Sequence, residues 1–211
     1  MKISKALLLA VMIIAGLKPA TGQNLNKKYE EPQTDATSEQ ILNGLIASQR
    51  FGNSVAQCSD LNGDGYGDIA VGAHLTSSNI GRVYVYHGGS SMNTVADLIL
   101  NGEGVNNYFG ISVSDAGDVN GDGYSDLIVG AYGYSSNTGR AYIYFGGLTM
   151  DNVADVVLTG PSVVSFGYSV SSAGDVNGDG YGDVIVSGHT FSSNTGRAYI
   201  YYGGLNMDNI A

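Results

Sequence analysis

Three nine-residue stretches hold the most telling chemistry in the sequence: Asp60-Leu-Asn-Gly-Asp-Gly-Tyr-Gly-Asp68, Asp118-Val-Asn-Gly-Asp-Gly-Tyr-Ser-Asp126 and Asp175-Val-Asn-Gly-Asp-Gly-Tyr-Gly-Asp183. Oxygen-bearing side chains fall on alternate residues, so one tight loop can wrap a hard cation in oxygen ligands. The first set reads as the side-chain oxygens of Asp60, Asn62, Asp64 and Asp68 with the backbone carbonyl of Tyr66. The second reads as Asp118, Asn120, Asp122 and Asp126 with the Tyr124 carbonyl, and the third as Asp175, Asn177, Asp179 and Asp183 with the Tyr181 carbonyl. Calcium is the expected occupant, about three ions with one per loop; magnesium, which keeps more of its waters and takes fewer protein ligands, ranks second. Three aspartates within nine residues repel one another without a cation, so metal binding and folding are expected to be coupled. A helix-loop-helix calcium sensor would need a bidentate Glu at loop position twelve. That position holds Val71, Val129 or Val186 here.

The elements that position these loops follow from an internal repeat of about 57 residues, which is decisive for architecture. Phe51-Gly52, Phe109-Gly110 and Phe166-Gly167 open equivalent units, and each metal loop follows in phase. Short β-branched and tyrosine-rich runs bounded by Gly, Asn and Ser read as strands. In the second unit they are expected near Gly110–Ser114, Leu127–Ala131, Ala141–Phe145 and Asp155–Leu158, with turns at Ser135-Ser136-Asn137 and Gly146-Gly147. Arg140-Ala141-Tyr142-Ile143-Tyr144 alternates in kind, as a strand with two different faces does. Leu127-Ile128-Val129 is continuously apolar, which suits a strand covered on both sides. Four strands in a unit of this size make a propeller blade. The fold class expected is all-β, a partial β-propeller of about three four-stranded blades. Ile41-Leu42-Asn43-Gly44 aligns with Ile99-Leu100-Asn101-Gly102 and Val157-Leu158-Thr159-Gly160, so the chain is expected to enter on the last strand of a repeat. The third repeat stops before its own last strand. Further blades in a longer chain are therefore expected.

With 43% hydrophobic residues, 13% charged and 32 glycines, the 211-residue sequence is too apolar for disorder and too glycine-rich for long helices. A net charge of −10 would repel a nucleic-acid backbone, which excludes that class of partner. Lys2, Lys5 and the apolar run Ala6–Leu17, followed by Ala20 and Gly22, read as a signal peptide over residues 1–22. No transmembrane segment is expected after its cleavage, and the product is expected to be secreted or held at the cell surface. Residues 23–38 read as a flexible leader, and 39–211 as the blades, with repeats near 45–102, 103–160 and 161–211. Cys58 is the sole cysteine, so no internal disulfide can brace the fold.

Phe-Gly, the nine-residue acidic loop, a Val-Gly-Ala strand end and Gly-Arg-x-Tyr-x-Tyr, recurring in order, resemble the FG-GAP repeat family of the integrin-α propeller. The resemblance implies blades about a central axis, about seven in a complete ring, of which this chain supplies about three as its N-terminal part. It also implies a structural calcium loop joining the first two strands of each blade on one rim, with ligand bound at the opposite rim. One departure is visible: the family pattern places proline after Gly-Ala, where this chain has His74, Tyr132 and, after Ser187-Gly188, His189.

No enzymatic constellation stands out. His74 and His189 share a repeat position with Tyr132, and a catalytic histidine seldom sits in a repeated aromatic slot. Neither a Gly-x-Ser-x-Gly elbow nor a His-Glu-x-x-His helix is present. Cys58 aligns with Ala116 and Ala173 and reads as a small packed side chain. The expected function is therefore a non-enzymatic module for adhesion or for binding an extracellular protein or glycan, presenting Leu75–Ile80, Gly133–Thr138 and Thr190–Thr195. A lectin, and an accessory or spacer module of a larger secreted enzyme, are the alternatives.

Overall fold

The computed structural model describes residues 40–205 and 207; the signal peptide and the whole of the leader read from the sequence lie outside them. The described chain is a succession of antiparallel meanders. Strands β1 (Ser54–Cys58), β2 (Asp68–Gly72), β3 (Arg82–Tyr86) and β4 (Leu98–Asn101) form the first sheet in sequence order. The second contains β5 (Ser112–Gly117), β6 (Asp126–Ala131), β7 (Arg140–Tyr144) and β8 (Val156–Thr159). The third has three strands, β9 (Phe166–Gly174), β10 (Asp183–Gly188) and β11 (Arg197–Tyr201). This is the architecture of a partial β-propeller.

Strand alternation decides how the blades stack. On β7, Tyr142 and Tyr144 point back into a core shared with the first blade, where they meet Val83, Val85 and Leu100. Ala141 and Ile143, on the other face, point forward to Phe166, Val184 and Tyr199 of the third blade. Strand β6 lies between the two cores and is buried along its whole length, as its apolar run requires. The phenylalanine that opens each repeat anchors these cores. Phe109 lies 5.4 Å from Tyr142, and Phe166 lies 5.3 Å from Tyr199, both edge to face. Such pairs contribute about 0.5–1.5 kcal/mol beyond area burial. Cys58 fills the first interblade core, and burial, followed by the charges of Asp115 and Asp68, pushes its thiol up to about 12. It is a packed side chain.

Between the second and third strands of each blade the chain makes a four-residue helical turn: α1 (Thr76–Asn79), α2 (Tyr134–Asn137) and α3 (Phe191–Asn194). Ser135, Ser136 and Asn137 of α2 have φ of 46°, 56° and 71°, and the same three residue types repeat this left-handed path in α1 and α3. The turn expected at Ser135–Asn137 is there. The first two turns are each followed by a glycine, Gly81 or Gly139, that forms a parallel bridge to the phenylalanine of the next blade.

The ends of the arc differ from expectation in one respect. Residues 40–44 have no strand assignment, because the sheet whose last strand they would form is absent from the described residues and a strand needs a partner ladder. Their position is nonetheless that of such a strand. A Cβ on Gly44 would meet the Phe51 Cβ at 2.7 Å, as one on Gly102 would meet Phe109 and one on Gly160 would meet Phe166, each also at 2.7 Å.

Gly139 illustrates how tightly the blades are joined: at φ +83°, a Cβ there would strike the carbonyl oxygen of Phe166 and lie 2.5 Å from its nitrogen. Gly139→Ala should cost about 1–2 kcal/mol for the left-handed backbone and about 1–3 kcal/mol more for overpacking. Gly174→Ala, at φ +70° with nothing within 4 Å, should show only the first cost. Urea denaturation of the two variants measures the difference, and equal losses would contradict the close approach.

Candidate metal centres

Each acidic nonamer occupies the connection from the first to the second strand of its blade: β1 to β2, β5 to β6 and β9 to β10. All three therefore lie at one end of the sheets, while α1–α3, which connect second to third strands, lie at the other. Within the first loop, the Asp60 carboxylate accepts from the backbone N–H groups of Gly63 (2.7 Å), Asp64 (3.1 Å) and Gly65 (2.8 Å). Asn62 Oδ1 accepts from the Asp64 N–H, Asp64 Oδ1 accepts from the Tyr66 N–H, and the Asn62 amide donates to Asp64 Oδ2 at 3.0 Å. Asn62 and the Tyr66 N–H hold the Asp64 carboxyl below its usual range. The second and third loops repeat the pattern around Asp118, Asn120 and Asp122, and around Asp175, Asn177 and Asp179. Gly63 and Gly65, at φ +78° and +86°, make the curl possible.

The ninth residue behaves differently. Asp68, Asp126 and Asp183 are fully buried. Asp68 Oδ2 accepts from the Leu61 N–H and Oδ1 from the Gly88 N–H, both at 2.8 Å, tying the acidic loop to the turn after β3. Asp126 makes the same pair of bonds to Val119 and Gly146, and Asp183 to Val176 and Gly203. Burial pushes the Asp126 carboxyl up to about 7 against the opposing pull of the Gly146 and Val119 N–H groups, with the charges of Asp122 and Asp118 adding to the rise. Asp68 is raised as well, again chiefly by burial.

The structure thus places the first, third and fifth residues of each loop together at the rim and turns the ninth inward. Among the described residues, no three acidic, histidine or cysteine side chains form a group that could hold a metal by themselves. The donor set nevertheless suits a hard cation. Asn62 and the Tyr66 carbonyl add neutral oxygens, and among the described residues that carbonyl accepts no hydrogen bond. Each oxygen of Asp68 accepts one bond and so retains a lone pair. A cation would also offset the negative charge gathered around Asp126.

Neighbouring loops are locked together. The Tyr124 ring lies where a side chain on Gly63 would be, and Tyr181 covers Gly121 in the same way. The Ser125 N–H donates to the Asp60 carbonyl (3.1 Å) and the Gly182 N–H to the Asp118 carbonyl (2.8 Å). Asp115 reinforces the first junction by accepting from the Ser59 N–H (2.7 Å) and hydroxyl (2.9 Å).

The FG-GAP repeat model matches residues 51–86, 109–144 and 166–201, each running from the phenylalanine through the acidic loop to the end of the third strand. The chain belongs to the FG-GAP repeat family. It is 35% identical over 170 residues to integrin alpha-5 of Xenopus laevis, covering 72% of this chain and 16% of that protein. It is 32% identical over 204 residues to integrin alpha-8 of Gallus gallus (90% and 19%), and 38% identical over 154 residues to integrin alpha-6 of Homo sapiens (70% and 13%). This FG-GAP chain thus spans less than a fifth of the length of these curated relatives.

At the opposite end of the FG-GAP blades, an aromatic ladder crosses all three sheets. Its rungs are His74–Tyr108 (6.3 Å), Tyr108–Tyr132 (4.9 Å, stacked), Tyr132–Tyr168 (5.3 Å) and Tyr168–His189 (4.4 Å). The shared repeat position of His74, Tyr132 and His189 signals three of the ladder's five rings in the sequence. Tyr108 and Tyr168 flank the Phe-Gly pairs irregularly, on opposite sides, and carry no such signal. Among the described residues, no helix is long and apolar enough to cross a membrane.

The two kinds of aspartate should separate by mutation in the presence of chelator. Asp126→Ala strands two buried N–H groups, at about 1–3 kcal/mol each, whereas Asp122→Ala at the exposed rim should cost about 1 kcal/mol or less. Denaturant titration in EDTA measures both, and a loss for Asp122→Ala as large as that for Asp126→Ala would refute the brace.

Proposed function

We propose that this chain is a calcium-stabilised propeller module that acts outside the cell, binding a protein ligand for adhesion through the rim that carries α1–α3. The observation that carries the reading is the division of labour between the two ends of every blade. The acidic loops and their braces occupy one end, and the left-handed turns with the aromatic ladder occupy the other. A rim built from backbone curls around carboxylates serves to hold ions and to join blades. The opposite rim exposes polar Ser and Asn on rigid turns, which offers hydrogen bonds at little ordering cost. Resemblance to integrin alpha chains supports the same assignment of rims.

One calcium is held in each loop: by Asp60, Asn62, Asp64, Asp68 and the Tyr66 carbonyl; by Asp118, Asn120, Asp122, Asp126 and the Tyr124 carbonyl; and by Asp175, Asn177, Asp179, Asp183 and the Tyr181 carbonyl. The ion supplies positive charge to a carboxylate cluster and fixes the loop against its neighbour; it takes no part in a reaction. Protein is favoured over glycan as the ligand because Tyr108 and Tyr132 stack on each other at an interplanar angle of 9°, so their mutually facing surfaces are not open to a sugar ring.

Titration calorimetry of the chain with calcium should resolve about three sites. At a hundredfold excess over Kd, each site contributes about 2.7 kcal/mol of stability, and 1 kcal/mol moves the Tm of a chain this size by about 2–4 °C. Thermal melts should therefore rise by well over 5 °C between chelator and saturating calcium. A folded chain that takes up no calcium would end the metal assignment. Substitutions in α1–α3 that leave binding of every extracellular ligand of the protein intact would end the assignment of the rim.

A further inference from the structure

We propose that Tyr108 and Tyr132 are an oxidative modification site, joined ring to ring as an intrachain dityrosine with a peroxide as the oxidant and a haem peroxidase as its catalyst. Among the described residues they are the one aromatic pair that stacks in parallel, with ring centroids 4.9 Å apart and an interplanar angle of 9°. Every other pair meets tilted or edge to face. Burial, followed by the charges of the Tyr108 and Tyr168 hydroxyls and by hydrogen bonding with Tyr108, raises the Tyr132 phenol above its usual value. The two hydroxyls of the stack therefore lie side by side. In such a head-to-head pair the ring carbons next to each hydroxyl-bearing carbon also lie together, and those are the carbons that couple in a dityrosine.

The backbone holds both rings in place. Tyr108 has φ +57°, a conformation that bulky residues rarely adopt. It is pinned there: its N–H donates to the Asn79 carbonyl (2.8 Å) and its carbonyl accepts from the Ile111 N–H (3.1 Å). Tyr132 follows the buried strand β6, and the N–H of the next residue, Gly133, donates to the Asn107 carbonyl (3.2 Å). A Cβ on Gly133 would lie 2.7 Å from Tyr108 Cδ2, so glycine at that position leaves room for the Tyr108 ring. The same two repeat positions hold Arg50 and His74 in the first blade, and Ser165 and His189 in the third. The second blade alone of the three fills both with phenols.

The chemistry balances with one peroxide per cross-link. Each phenol gives up one electron to the oxidised haem and its hydroxyl proton to water, leaving two phenoxyl radicals. These join through one carbon–carbon bond between ortho carbons. Each of those carbons then loses its hydrogen as a proton and each phenol oxygen regains one, so the pair loses two electrons and two protons in all, and the peroxide takes them up as it becomes two molecules of water. Holding the two radicals in contact makes their coupling unimolecular, which favours it over coupling between chains. Both rings are half-buried, so solvent reaches them, whereas Tyr84, Tyr86, Tyr142, Tyr144 and Tyr201 are buried in the cores. Tyr134 lies beneath the Arg140 guanidinium at 3.6 Å, and that positive charge opposes loss of an electron. The new bond would close a covalent loop containing β5, the second acidic loop and β6, a constraint on the unfolded chain that needs no metal.

The test treats the full chain, in calcium and in dilute solution, with hydrogen peroxide and a haem peroxidase. The fraction that keeps the mass of one chain should gain dityrosine fluorescence and lose two hydrogens, and digestion followed by tandem mass spectrometry should return one peptide pair joined through Tyr108 and Tyr132. Tyr108→Phe and Tyr132→Phe, each checked for an unchanged circular dichroism spectrum, should each lower the yield of that product by about tenfold or more, because coupling then has only bimolecular routes. Tyr168→Phe should leave the product in place, and denaturant should abolish it in the unsubstituted chain. Cross-links confined to covalent oligomers, a joined pair that maps to other tyrosines, a yield that survives Tyr132→Phe, or oxygen added to single tyrosines without coupling would each overturn the proposal.

Discussion

Everything in this molecule depends on the packing of one blade against the next. A meander of four short strands has two apolar faces and cannot bury either alone. The blade therefore exists as a folded unit only in contact with neighbours, and its residues are chosen for that. Tyrosines on β3, β7 and β11 turn backward while Val, Ala and Ile turn forward, so a broad aromatic surface always meets a smaller aliphatic one. Phe109 and Phe166 lie at the junctions, each edge-on to two tyrosines of its own blade, and Phe51 is edge-on to Tyr84.

The buried aspartates solve a second problem created by this arrangement. The acidic loop and the turn after the third strand meet at the rim, and their backbone N–H groups would be left without acceptors beneath the next blade. A carboxylate held between the two satisfies one donor from each. Burying it raises the energy of its charge, and the cluster of acids above it raises that energy further. The loop is thereby built so that its most constrained acid is the one that links the acidic rim to the sheet.

Much of this was legible in the sequence for physical reasons. The period of about 57 residues, the strand alternation in Arg140–Tyr144 and the continuous apolar run at Leu127–Val129 each follow from which faces are covered; in the second unit three strands appear within one residue of where the pattern placed them, and the first, β5, is shifted by two to three residues toward the acidic loop. Cys58, aligned with alanines, is buried as that alignment implies. Less legible were features that depend on tertiary context. Ile41–Gly44 matches a strand by sequence but has no ladder partner. The loops were readable as a donor pattern, yet nothing in the nonamer distinguishes the rim aspartates from the ninth, whose burial arises from a turn twenty residues away in the chain. The ladder through Tyr108, Tyr132 and Tyr168 brings together positions that do not share a repeat phase.

The three left-handed turns bear on how such a surface could diversify. Ser-Ser-Asn recurs in α1, α2 and α3, and the backbone reason is sufficient: consecutive residues at positive φ exclude β-branched side chains and favour small polar ones that bond locally. Their sameness thus reflects conformation rather than a thrice-repeated binding preference. The blades differ instead at the positions just before the curl, which are Leu75-Thr76 in one blade, Gly133-Tyr134 in the next and Thr190-Phe191 in the third. In two of them the aromatic ring is capped by a guanidinium, Arg140 over Tyr134 at 3.6 Å and Arg197 over Phe191 at 3.7 Å. A frozen hinge with an interchangeable preceding pair is an economical way to give each blade its own vocabulary while keeping one grammar.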